Sequence, residues 1–79
     1  MANYHLTATI WREGDQYVSK CTELGVASAG DTAEEALEAL REAVELYLEN
    51  ARELGLLDDL KATLTSPRRF SASLEVSVP

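Results

Sequence analysis

The chain has 79 residues, 46% of them hydrophobic, and carries seven Lys and Arg against fourteen Asp and Glu, a formal charge of −7. That length holds one domain, the apolar fraction is that of a folded chain, and no run approaches the roughly 18 apolar residues of a membrane span. The acidic balance is the reverse of the clustered basic surface from which nucleic-acid binding draws most of its affinity, so the expected partner is a basic protein and not nucleic acid.

A core this small supplies no more than roughly 3–5 kcal/mol, which makes a dimer or tetramer, or docking on a partner, the expectation from size alone. The one cysteine, Cys21, excludes an intrachain disulfide framework. The opening MANYHLTATIW lacks the charged and long apolar regions of a signal peptide, so a soluble cytoplasmic protein is expected.

From Tyr4 to Trp11 the chain alternates, with Tyr4, Leu6, Ala8 and Ile10 on one face and His5, Thr7, Thr9 and Trp11 on the other. Period two and β-favouring residues predict a strand. Glu13-Gly14-Asp15 reads as a turn, and Gln16 to about Thr22 as the second strand of a hairpin. After Gly25, Val26 to Ala29 is a short third strand that ends at Gly30. The hairpin and third strand together span 4–29.

Thr32-Ala33-Glu34-Glu35 fits a capping box, in which the Thr32 hydroxyl accepts from the Glu35 N–H and the Glu35 carboxylate reaches back to the Thr32 N–H. A helix over 32–54 follows, with Gly55 as the residue that closes it. At about 100° per residue, Ala33, Ala36, Leu37, Leu40, Ala43, Val44, Tyr47, Ala51 and Leu54 form an apolar band. Glu34, Glu38, Glu42, Glu45, Glu49 and Glu53 fall on the opposite side, with Arg41 and Arg52 among them. Residues 56–66 are an irregular stretch or a short helix, broken at Ser66-Pro67. Phe70, Ala72, Leu74, Val76 and Val78 then alternate with Ser71, Ser73, Glu75 and Ser77, which predicts a final half-buried strand over 70–78. The expected fold is α+β, in the order β-β-β-α-β: a small antiparallel-rich sheet with one long amphipathic helix on one face.

No residue set asks for catalysis or a cofactor. The helix carboxylates diverge along one exposed face instead of converging on a cleft, and Arg41 and Arg52 pair with them locally. Such a face is a solvated surface or a docking surface for a basic partner, with Glu38, Glu42, Glu45 and Glu49 its central residues. Cys21 and His5 are too few ligands for a structural zinc site. A Cys21–His5 nucleophile pair is conceivable on neighbouring strands, but a free strand cysteine more often packs as a small apolar group. Tyr4, Trp11 and Tyr17 lack the positive groove of a single-strand stacking platform, and the Arg68-Arg69 doublet reads as a solvated turn or an anion contact. For self-assembly the candidates are the open sheet face bearing Trp11 and the edge strand bearing Phe70, Leu74 and Val76.

Taken in order, Glu13-Gly14-Asp15, Tyr17-Val18, Cys21, Glu23-Leu24 and Gly30-Asp31-Thr32-Ala33-Glu34-Glu35-Ala36 resemble the N-terminal domain of the HicB-family antitoxins. The likeness covers residues 4 to about 54, and 70–78 stands where the family has its closing strand. Thr22 and Leu24-Gly25-Val26 replace the prolines and the Pro-Gly-Cys turn of many members. The resemblance implies a partial ribonuclease-H-like fold, self-assembly, and binding to a small basic mRNA-cleaving toxin of the HicA type. It implies a short form without the DNA-binding domain of longer members, and no nuclease activity of its own. Three readings follow: an antitoxin-like binding module, a stand-alone self-assembling domain without a toxin, and a minor enzyme or ligand-binding protein using Cys21 and His5.

Overall fold

A computed structural model of the chain describes residues 3–66 and 70–79. Three strands, β1 (Ala8–Glu13), β2 (Gln16–Cys21) and β3 (Ala27–Gly30), precede two helices, α1 (Ala33–Glu53) and α2 (Leu57–Thr65). The strands form one antiparallel sheet in the order β1-β2-β3, so β1 and β3 are its edges. The architecture is α+β, with the long helix packed on one face of the sheet.

The hairpin turns where Gly14 takes φ 64° between the paired residues Glu13 and Gln16. Asp15 keeps a negative φ, so the pattern is that of a two-residue turn with glycine at its first central position. β1 begins at Ala8 and not at Tyr4, although Thr7 still accepts from the Thr22 N–H at 3.0 Å. Beyond that point the chain of β2 turns away through Gly25 (φ 73°), whose N–H bonds to the Cys21 carbonyl. Tyr4 to Leu6 therefore lie outside the ladder. The third strand runs one residue later than the alternation suggests.

Register sorts the side chains. Ala8 faces Cys21, Ile10 faces Ser19, and Ser19 faces Ser28, all on the side that meets α1. Trp11, Val18 and Ala29 line up across the other face. The fully covered core is small: Ser19, Cys21, Ala36, Leu40, Ala51 and Leu64. Ser19 is polar and wholly buried, and its hydroxyl donates to the Ala36 carbonyl at 2.8 Å, tying β2 to the first turns of α1.

α1 begins as its sequence dictates. Thr32 is extended (φ −129°, ψ 164°) and its hydroxyl accepts from the Glu35 N–H at 3.1 Å. The reciprocal bond shifts by one residue: the Glu35 carboxylate accepts from the Asp31 N–H at 3.1 Å, not from Thr32. The helix ends in a Schellman motif, with the Gly55 N–H on the Arg52 carbonyl, the Leu56 N–H on the Ala51 carbonyl, and Gly55 at φ 74°. α2 follows at once and buries Leu64.

The predicted final strand is not present. Residues 70–79 form no ladder with the sheet, and Phe70, Leu74, Val76 and Val78 are 92%, 86%, 70% and 88% exposed. Alternation sets which side chains share a face, but a strand exists only where an edge accepts its hydrogen bonds, and within this single chain none does. Phe70, Leu74 and Val76 are accordingly not residues of an edge strand. The Ser66-Pro67 break and the Arg68-Arg69 turn fall on, or run into, residues outside those described.

Candidate functional site

Two features of α1 could serve a partner, and they meet along Glu38, Arg41 and Glu45. The first is the acidic face. Glu34, Glu38, Glu42, Glu45, Glu49 and Glu53 are all exposed, as their spacing requires. Arg41 organises part of it. Its guanidinium bonds the Glu38 carboxylate in bidentate fashion through Nε and Nη2, and its Nη1 reaches both Glu45 oxygens at 3.1 and 3.2 Å. The hydrogen bonds from Arg41 hold the Glu38 carboxyl below the usual carboxylate range, and the same two glutamates push the Arg41 guanidinium further up.

Of the four candidate contact residues, Glu38 and Glu45 are thus already engaged. Glu42 and Glu49 make no hydrogen bond or ion pair among the described residues. Because an exposed ion pair contributes little to stability, the Arg41 bridge chiefly fixes side-chain direction and lowers the local negative charge. Arg41 offsets one of the two charges at Glu38 and Glu45, while Glu42 and Glu49 stand unbridged among the described residues.

The second feature is a groove of about 510 Å³ between the chain leading into β1 and the flank of α1 carrying Leu37, Val44 and Leu48. It exists because α1 does not sit squarely on the sheet. The helix packs chiefly over β3 and β2 and least over β1. Small residues draw its start onto β3: a Cβ added at Gly30 would lie 2.6 Å from the Ala36 nitrogen. On the far flank the helix stands off β1, leaving Leu37 48% exposed. Tyr4, Leu6 and Ala8 form the opposite wall, Cys21 the floor, and Glu38, Arg41 and Glu45 part of the rim.

Cys21 and His5 are not brought together at this groove. Cys21 is buried and its thiol points to the Glu23 carboxylate at 3.6 Å, whereas His5 is exposed and is not among the lining residues. Nucleophilic cysteines sit beside cationic groups, and this neighbour is anionic. Glu23 itself escaped the reading of the sequence as anything but a motif position. Its carboxylate accepts from the Thr7 N–H and the Thr7 hydroxyl, both at 2.8 Å, and so clamps the start of β1 to the turn after β2. The signal was its place two residues after a core cysteine, where a short turn returns the side chain toward the sheet.

Trp11 stands on the sheet face away from α1, 40% exposed, in the row with Val18 and Ala29. Among the described residues no three His, Cys, Asp or Glu side chains converge on a point that could hold a metal ion. No helix there is long and apolar enough to cross a membrane.

Residues 3–65, from the segment before β1 through α2, match the model of a family of unknown function, DUF7387, and the chain belongs to that family. The match carries no HicB assignment. No curated protein and no solved structure matches the chain.

Proposed function

We propose that this DUF7387 member is a protein-binding module, and that the exposed acidic face of α1 receives a small basic partner. The observation that carries the reading is the pair of glutamates, Glu42 and Glu49, exposed on one long helix and without a hydrogen bond or ion pair among the described residues. A face of this kind steers a basic protein to the surface and then pairs with its Lys and Arg. The likeness of Tyr17-Val18, Cys21, Glu23-Leu24 and the Gly30–Ala36 helix start to HicB antitoxins makes a small mRNA-cleaving toxin of the HicA type the leading candidate. In that role the module neutralises the toxin by covering it and performs no catalysis itself.

The test is capture at natural expression levels from the source organism, run side by side with the wild-type chain and a Glu42→Gln/Glu49→Gln variant. A stoichiometric basic protein of small size, retained by the first and depleted at least about tenfold by the second, supports the reading. A basic partner held equally by both places the contact elsewhere. Recovery of the homo-oligomer alone favours the second reading, a stand-alone self-assembling domain. That reading draws on a separate observation, the exposed apolar residues of 70–78.

A further inference from the structure

We propose that the groove beside β1 is completed by the Phe70–Val78 segment of a second copy of this chain, and that two copies exchange these segments reciprocally. β1 is an edge of the sheet. Thr7 accepts from the Thr22 N–H, so Thr9, Trp11 and Glu13 are the residues hydrogen-bonded to β2. The backbone groups of Ala8, Ile10 and Arg12 then point outward, away from the sheet, and no backbone bond to them is made among the described residues. An edge of this kind is a template for another strand.

The same residues present their side chains to the α1 side, and Ala8 among them lines the groove together with Tyr4 and Leu6 just before the strand. A strand added there would place alternate side chains under Leu37 and Val44. The segment has the matching pattern: Phe70, Ala72, Leu74, Val76 and Val78 on one side, Ser71, Ser73, Glu75 and Ser77 on the other. Its one charged side chain, Glu75, alternates onto the row of Ser71, Ser73 and Ser77, opposite the apolar row that would face the groove.

Both halves are left open in the single chain: an unfilled groove, and a segment whose apolar residues stand in water. Complementary halves on one molecule close most simply as a two-fold exchange, which satisfies both at once. Two nine-residue strands, each with its groove, bury on the order of the 1,200–2,000 Å² that a stable interface needs.

The experiment uses full-length protein in two isotope labels, mixed after denaturation and refolded together. Isotope-filtered NMR then reads contacts between chains, alongside sedimentation for mass. The proposal expects a dimer with intermolecular contacts from Leu74 and Val76 to Leu6, Leu37 and Val44. A Leu74→Glu substitution should weaken the dimer at least about tenfold. That residue touches none of the single chain's core, so the Ser19 and Cys21 signals report whether the fold survives. A monomer, contacts confined to one chain, or a dimer joined through the Trp11 face would each overturn the proposal.

Discussion

Glu38 gives the most local check on the acidic face. Its carboxylate is held by Arg41 in a bidentate pair, so its folded-state pKa lies below that of a free glutamate. The sign follows from linkage: a lowered folded pKa adds stability above the unfolded value, and that contribution is lost as pH falls through the folded one. Because both side chains are solvent-exposed, the effect on stability is small. The site-resolved titration is the informative measurement, with Glu38 titrating below an ordinary glutamate by carbon-detected NMR and returning toward the ordinary range in Arg41→Ala. Ser19 is the opposite case, wholly buried with one bond to the Ala36 carbonyl. Ser19→Ala removes a donor while leaving an acceptor that the helix ladder still satisfies, so urea unfolding should show a loss of about 1 kcal/mol. A neutral result would mean that the bond only replaces one to water.

At the scale of elements, two substitutions near the start of α1 separate capping from close approach. Thr32→Ala removes the hydroxyl that accepts from Glu35 and should cost about 1 kcal/mol. Gly30→Ala asks more, because the new Cβ would lie within 2.8 Å of backbone atoms of Glu35 and Ala36. The helix must shift off β3, and the expected loss is roughly 1–3 kcal/mol with altered amide shifts along both elements. Equal losses at the two positions would contradict the packing described. The cap, the helix and the hairpin were legible in the sequence because each is set by neighbours within a few residues. The tilt of α1 was not, since it depends on the small residues Gly30 and Ala36 meeting across a sheet-to-helix contact. For the same reason the apolar band promised more cover than it finds: Leu37, Tyr47 and Leu54 belong to it and remain 48%, 41% and 73% exposed.

For the whole molecule, the three-stranded sheet and one long helix leave a core too small to stand far above the threshold of stability. Leu40 is one of its few large buried residues, and Leu40→Ala should cost roughly 2–5 kcal/mol, enough to unfold much of the population if the chain were monomeric. Thermal unfolding of that variant should therefore depend on protein concentration if assembly supports the fold. The carboxylate face could be placed from the sequence alone, because a 3.6-residue period fixes it. The sequence did not reveal which glutamates are already paired, since that turns on the rotamer Arg41 adopts between Glu38 and Glu45.

In the proposed role α1 recruits a basic partner by charge. The most direct measurement is the association rate of the captured partner with the full-length chain, taken across ionic strength. Steering by Glu42 and Glu49 predicts a rate that falls about tenfold or more between low and physiological salt, with a shallower slope in the Glu42→Gln/Glu49→Gln variant. A rate indifferent to salt, and identical in the two proteins, would contradict the account.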